Sequence, residues 1–226
     1  MAKYLMEFSK RGTICYTSHL DMMRLFQRIF KRAGIGLAFS QGFNPHPKMS
    51  FAQPLSLGYE GMEEFIEFET AVDINPDEIF AKVSAIMADG IDIKYCKYLN
   101  TGSRTLSAMT VAALYTARVP AAEPLDGEML VKEYLEQEKI ITLKRQKKKK
   151  ELKEVDIKPM IQRLNFSWSE GVLIMRMLLD QGSTSNLSPE LVLNTFLPFA
   201  GIDADRSEIT MTREKIIFSN PEITEQ

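Results

Sequence analysis

The order of strand and helix patterns in the first 100 residues constrains the fold more than any other feature of this chain. An alternating first segment is followed by a long stripe of apolar residues at helical spacing, which begins after Ser18 and ends near Gly34. Ser18 and Asp21 form a capping-box pattern at its start. Strands are predicted over residues 3–9, 49–57, 64–70 and 91–99, and a second helix is predicted to begin at Asn75-Pro76. The order strand–helix–strand–strand–helix–strand is that of a ferredoxin-like unit.

The same order begins again after a polar connector at residues 100–107. Strands are predicted over residues 111–119 and 209–218, and over 164–179 with a turn at 169–171. A basic hairpin is predicted from strands over 140–147 and 151–161. Helices are predicted over 128–138, capped by Asp126, and from Ser188-Pro189. We therefore predict an α+β fold of tandem ferredoxin-like (βαββαβ) units with antiparallel sheets. The first unit is predicted at residues 1–100, and the second, with the basic hairpin, at residues 101–226.

Cysteine content and hydropathy exclude several classes of protein. Cys15 and Cys96 are the only cysteines, too few for a disulfide framework, a cysteine-based zinc site or an iron–sulfur cluster within this chain. The N-terminus lacks the apolar region of a signal peptide, and no run of 18 apolar residues is present. We therefore expect a cytoplasmic protein with no membrane partner, no metal and no bound cofactor.

Charge is strongly segregated, although the net charge is only −2. Residues 1–50 carry eight Lys and Arg against two acidic residues, and residues 144–153 carry seven against one. Residues 60–92 instead carry ten acidic residues against one Lys. Such segregation is typical of a protein in which one face meets a polyanion. The run Lys147–Lys150 has a simpler alternative interpretation, a solvated hairpin tip that protects a strand edge.

The first predicted helix carries both a basic stripe and a candidate acid–base group. Arg24, Arg28 and Arg32 recur every four residues opposite the apolar stripe, which predicts either a phosphate-contacting face for RNA or an ordinary solvated face. His19 falls in the first turn and is a candidate catalytic residue together with Asp21; the alternative is a polar residue near the cap. The histidines and Asp21 match no standard metal-ligand spacing.

The segment F-N-P-H-P-K, here called the signature loop (residues 43–48), is a second candidate site. Two prolines flank His46 and restrict the backbone, so little entropy would be lost when the loop binds a partner. A structural turn between helix and strand is the alternative. The candidate binding residues of this segment are Phe43, Asn44, His46, Lys48 and the following Ser50, and His46 is also a candidate catalytic residue.

The small residues of G-S-T-S-N (182–186) precede the helix that begins at Ser188-Pro189. A helix N-terminus of this kind can bind an anion, but a plain loop is the simpler interpretation, because the G-K-[ST] of a phosphate-binding loop is absent. No G-x-S-x-G, G-x-G-x-x-G or H-E-x-x-H motif is present either, which removes several common enzyme classes.

The motifs S-H-L-D-M-M-R and S-Q-G-F-N-P-H-P-K-M-S-F-A-Q-P-L-S-L-G resemble the radical-SAM-linked family of unknown function, of the DUF2344 type. The resemblance implies an accessory protein that is not itself a radical enzyme, with a cobalamin-binding radical-SAM protein as its partner. It also implies a connection with RNA or the ribosome. The signature positions carried over to this sequence are Ser18, His19, Asp21, Arg24, Arg28, Gly42, Phe43, Asn44, Pro45, His46, Pro47, Lys48 and Ser50.

Three functions fit these patterns. The first is a binding module that recognises RNA or a ribosome-related substrate through the basic helix and the signature loop, and presents it to a radical-SAM enzyme. The second is an RNA-processing or RNA-modifying enzyme that uses His19 or His46. The third is a protein-only adaptor that docks through the acidic segment 60–92 and the basic hairpin. We favour the first, and therefore a non-catalytic role for this chain.

Overall fold

The chain divides into two units, Met1–Thr110 with Arg213–Gln226 and Val111–Thr212. The computed structural model describes residues 2–102, 104–145 and 152–224. Over these residues it is a mixed α/β protein with mostly antiparallel strands and five α-helices. The tandem ferredoxin-like arrangement is not confirmed, and the domain bounds 1–100 and 101–226 remain a prediction.

The elements before residue 110 follow the predicted order, with one short helix added. They are β1 (Ala2–Lys10), α1 (His19–Arg32), β2 (Met49–Phe51), β3 (Glu60–Thr70), α2 (Pro76–Ser84), β4 (Ile91–Tyr98) and α3 (Leu106–Met109). The later elements are β5 (Thr110–Pro120), α4 (Gly127–Glu136), β6 (Ile141–Arg145), β7 (Leu152–Asp156), β8 (Ile161–Ser169), β9 (Val172–Asp180), α5 (Pro189–Phe199) and β10 (Thr210–Phe218).

The sheet of the first unit is built around β1, which lies between β4 and β3. Both neighbours are antiparallel to β1, and β2 pairs with β3, also antiparallel. The part of β10 that begins at Arg213 lies beside β3. Since side chains alternate along a strand, β1 sends Tyr4, Met6 and Phe8 to one face and Leu5 to the other.

Helix α1 packs its apolar stripe on the face of Tyr4, Met6 and Phe8. Residues close together in the sequence decide both this stripe and the cap of the helix. The Ser18 hydroxyl accepts a hydrogen bond from the Asp21 N–H at 3.2 Å, as the capping pattern predicted. Met22, Phe26 and Phe30 are buried on the sheet. Helix α2 packs into the same core and begins as predicted, with Asn75 as its cap.

The opposite face of this sheet is also covered. Leu5 and Phe65 pack with Leu106 of α3, a helix that the sequence did not predict within the polar connector. Phe218 and Ile223 complete this second core. A bare sheet face is therefore not available at these positions for a ligand to stack on.

Two predicted strands have different bounds in the structure. The strand predicted over 49–57 ends at Phe51, and Pro54, which follows, has no N–H to donate to a neighbouring strand. β3 is longer than predicted and begins at Glu60 rather than at residue 64. The acidic segment 60–92 therefore includes a strand in which Glu64 and Glu67 are buried.

In the second unit the antiparallel order is β5, β9, β8, and β6 pairs with β7 in a separate two-stranded sheet. The predicted turn at 169–171 is confirmed, with both Glu170 and Gly171 at positive φ. Helices α4 and α5 meet through a hydrogen bond of 2.6 Å between the hydroxyls of Tyr134 and Thr195. The predicted tip of the basic hairpin, including Lys147–Lys150, lies outside the described residues.

Candidate functional site

The signature loop projects from a closed backbone turn. The Ser40 N–H donates to the His46 carbonyl at 2.8 Å, and the His46 N–H donates to the Ser40 hydroxyl at 3.0 Å. Gly42 has φ 136°, a conformation that side chains rarely allow. The turn leaves the Phe43 ring fully exposed (106%), an unusual position for a large apolar side chain.

The exposed face of α1 carries the predicted basic stripe. Arg24, Arg28 and Arg32 are all exposed. The Arg24 guanidinium pairs with the Asp21 carboxylate at 3.0 Å. Hydrogen bonds from Ser18 and then from Arg24 lower the pKa of Asp21. Within the part of the chain that the structure describes, Arg28 and Arg32 make no hydrogen bond or ion pair, so both are available to a ligand.

A groove joins the C-terminal half of α1 to the base of the signature loop. It is open to solvent, and its cavity volume is about 480 Å³. Lys31 and Gln27 line it from the helix, and Phe39 and Pro47 line it from the loop side. Lys31 stands three residues beyond Arg28 and therefore on the same side of the helix. The groove is thus bordered by one cation of α1, Lys31, and by the base of the signature loop at Pro47.

Lys48 and Ser50 lie at a different place, in a groove along β2 and β3. The Lys48 ammonium pairs with Glu69 at 2.6 Å, and the Ser50 hydroxyl donates to Glu67 at 3.0 Å. Glu67 also pairs with Lys3 at 2.7 Å. These two signature residues therefore hold β2 against carboxylates of the sheet, whereas Phe43 and Asn44 of the same segment are exposed.

The two histidines have different environments. His19 is half-buried, and its ring meets the Phe51 ring edge-on at 5.6 Å between centroids. Burial lowers the pKa of His19. His46 is exposed on the signature loop. Among the described residues no hydrogen bond or ring contact joins the three candidate catalytic residues, His19, His46 and Asp21.

A buried polar cluster beside His19 was not predicted from the sequence. Lys10 is 3% exposed and Arg213 is 1% exposed. The Arg213 guanidinium binds the Glu64 carboxylate at 2.5 and 2.8 Å. The strand pattern could have predicted the burial of Lys10. Side chains alternate along β1, so Lys10 lies on the same face as Met6 and Phe8, and that face is buried.

Two further properties can be stated for the described residues. They contain no group of three or more His, Cys, Asp or Glu side chains placed to hold a metal ion. In the same ranges, none of the helices combines the length and the apolar character needed to cross a bilayer.

A family model described as an uncharacterised protein conserved in bacteria (DUF2344) matches residues 3–189. The chain belongs to this family. The match runs from β1 to the start of α5 and includes every residue of the basic helix and the signature loop. It also includes Lys10 and Glu64, but not Arg213.

No curated protein matches this chain. Among solved structures, the chain is similar to an unknown protein from Galdieria sulphuraria, known from a crystal structure. The two are 11% identical, and the similarity covers 96% of this chain and 98% of that chain with a TM-score of 0.28. A likeness at this level carries no argument about fold or function.

Proposed function

We propose that this chain is a binding module for single-stranded RNA, and that it serves a radical-SAM enzyme as an accessory protein. The observation that carries the proposal is the fully exposed Phe43 ring, which lies on a turn whose base borders the same groove as Lys31, a cation on the same side of α1 as Arg28. An exposed aromatic ring next to unpaired cations is the combination that single-stranded nucleic acids bind.

The chemistry divides between the two sides of the groove. Arg28, Arg32 and Lys31 would contact phosphates, since guanidinium and ammonium groups neutralise the backbone without reading its sequence. Phe43 would stack on a base, an interaction that every base can make. Asn44 and His46, exposed beside it, would supply hydrogen-bond groups to base edges.

The fold supports a helix-and-loop surface rather than a sheet surface. The element order from β1 to β4 is that of a ferredoxin-like unit, and we extend this assignment to both halves as part of the proposal. RNA-binding domains with a related sheet stack bases on exposed sheet aromatics. Here Phe65 is buried under α3, which favours RNA binding at α1 and the signature loop instead.

Fluorescence anisotropy with a labelled single-stranded RNA, measured over a salt series, tests the proposal. Each phosphate contact contributes a slope of about −0.7 in log K against log salt. Arg28→Ala/Arg32→Ala should therefore make the slope less negative by about 1.4. Phe43→Ala should weaken binding by about 1–3 kcal/mol, or roughly 5- to 150-fold, and leave the slope unchanged.

Lys82→Ala/Lys94→Ala is the matched control, because it also removes two exposed positive charges of the first unit. It should leave the slope close to that of the unaltered protein. Equal slopes for the two double variants would refute the basic-helix part of the proposal. No RNA binding at low salt would refute RNA recognition altogether, and shortened RNA would favour the enzymatic alternative through His19 or His46.

The radical-SAM partner is inferred from the family resemblance. The cysteine content agrees with it, because this chain has too few cysteines for an iron–sulfur cluster of its own. Co-purification of the tagged chain with a cobalamin-binding radical-SAM protein tests it. Recovery that persists after nuclease treatment supports a direct protein contact. If the partner is recovered from the Phe43→Ala and Arg28→Ala/Arg32→Ala variants, and none of these proteins binds RNA, the protein-only adaptor is the better description.

A further inference from the structure

A second pocket in the first unit lies at the N-terminus of α1. Its walls are apolar at Phe8, Met22, Phe51 and Leu55 and polar at Lys10, His19, Gln53 and Glu64. The cavity volume is about 20 Å³, enough for one water-sized group, and the empty space, open solvent included, is about 300 Å³. Polar and apolar walls together suit a small ligand with a polar head and an apolar body.

The Lys10 ammonium is a buried cation in this pocket that still has a hydrogen-bond donor to offer a ligand. It is 3% exposed, and its Nζ donates to the carbonyls of Thr17 at 3.1 Å and Cys15 at 3.3 Å. An ammonium has three N–H donors, so one donor makes no hydrogen bond among the described residues. Burial lowers the pKa of Lys10, as expected for a cation that has lost its water.

The charges around Lys10 do not cancel. Arg213 and Glu64 neutralise each other through two hydrogen bonds of 2.8 and 2.5 Å, and two further Arg213 donors bind the Pro54 and Gln53 carbonyls at 3.0 Å. No carboxylate of the described residues lies within ion-pair distance of Lys10. The cluster therefore holds one positive charge more than it holds negative charge, and a buried charge of this kind is costly until an anion joins it.

The first turn of α1 adds to the same preference. A helix N-terminus carries partial positive charge and has backbone N–H groups without helical partners. Ser18 caps the Asp21 N–H, and the Asp21 carboxylate is turned to Ser18 and Arg24 at the surface. Burial lowers the pKa of His19, which favours the neutral ring, and a neutral imidazole can donate one hydrogen bond and accept another.

We propose that this pocket binds a small organic carboxylate, with one carboxylate oxygen accepting a hydrogen bond from Lys10 and the apolar body of the ligand against Phe51 and Leu55. The site is separate from the groove between α1 and the signature loop, and it does not depend on RNA binding. It also gives His19 a position beside a ligand rather than beside RNA.

Benzoate and its neutral isostere benzamide are suitable probes for the intact chain. Methyl-labelled methionine reports the location, because Met22 lines the pocket and Met129 is exposed on α4 of the second unit. Benzoate should shift the Met22 methyl resonance saturably and leave Met129 unchanged. Benzamide keeps an acceptor oxygen but lacks the negative charge that would pair with Lys10, so it should bind roughly tenfold more weakly.

Lys10→Met removes the ammonium and should reduce benzoate affinity by at least about tenfold. The control Lys82→Met removes an exposed charge on α2 and should leave the affinity unchanged. If Lys10→Met does not fold, Leu55→Trp decides, because it fills the mouth, keeps Lys10 and should abolish the Met22 shift. Equal binding of benzamide, benzoate binding retained in Lys10→Met or in Leu55→Trp, or no Met22 shift up to the solubility limit of benzoate would overturn the proposal.

Discussion

Replacing Arg213 by Met is expected to destabilise the first unit by about 3–5 kcal/mol, because it leaves the buried Glu64 carboxylate without its cation. The side chains of Arg213 and Glu64 are 1% and 4% exposed. The Gln53 and Pro54 carbonyls lose a donor in the same substitution. A buried acceptor left without a partner costs about 1–3 kcal/mol, so the carbonyl losses add to the carboxylate loss.

The double variant Arg213→Met/Glu64→Gln separates the two contributions. It removes both charges, which relieves the carboxylate loss of about 3–5 kcal/mol, but it leaves the carbonyl losses and adds a buried unpaired amide that costs about 1–3 kcal/mol. It should therefore be about 2 kcal/mol more stable than Arg213→Met alone. Lys215→Met is the matched control. Lys215 lies two residues further along β10 and pairs with Glu63 at 3.6 Å, but the two side chains are 45% and 36% exposed. The loss of such a pair costs only about 0–1 kcal/mol.

Urea unfolding followed by far-ultraviolet circular dichroism gives the free energy of unfolding for each variant. The expected order of stability is Lys215→Met close to the unaltered protein, the double variant lower, and Arg213→Met lowest. If Arg213→Met lowers the free energy of unfolding no more than Lys215→Met does, the Arg213–Glu64 pair does not stabilise this sheet. The argument that Arg213 and Glu64 neutralise each other beside Lys10 would then fail as well.

Two further predictions concern packing and pH. Gly127→Ala should cost about 1–3 kcal/mol in urea unfolding, because the added Cβ would lie 2.3 Å from the Phe166 carbonyl oxygen, whereas Gly36→Ala meets no atom within 4 Å and should cost far less. Burial raises the pKa of Glu7 in the folded state above its ordinary value of 4.5. The folded state therefore loses stability as pH rises from 4.5 through the raised pKa. Glu7→Gln should therefore be more stable than the unaltered protein at pH 7 and equally stable below pH 4.5. Glu123→Gln, at an exposed position, is the control and should leave the stability unchanged.

The features that the sequence predicted correctly are those decided by local chemistry. The Ser18 and Asn75 caps satisfy N–H groups two or three residues away, so the residues that decide them are adjacent in the sequence. The exposure of Arg24, Arg28 and Arg32 follows from helical period alone. The turn at Glu170 and Gly171 is likewise decided by the residues that form it.

The features that the sequence did not predict depend on residues far apart in the chain. Arg213 and Glu64 are 149 positions apart, and nothing near either of them indicates that both charges are buried and paired. Lys48 and Ser50 stay predicted ligand contacts, but their bonds to the Glu69 and Glu67 carboxylates on the neighbouring strand β3 were not predicted. Register between strands decides such contacts, and a single sequence does not encode it in a local pattern.

The segment from His19 to Ser50 therefore combines two kinds of residue that one sequence motif does not distinguish. Phe43, Arg28 and Arg32 face solvent, and their substitution should change RNA binding while stability stays constant. His19, Lys48 and Ser50 contact the sheet or the α1 pocket, and their substitution should change stability or carboxylate binding first. If the proposed RNA binding holds, this motif extends over a whole helix and loop although only its solvent-facing residues meet the RNA, because the remaining residues position those side chains and line a different pocket.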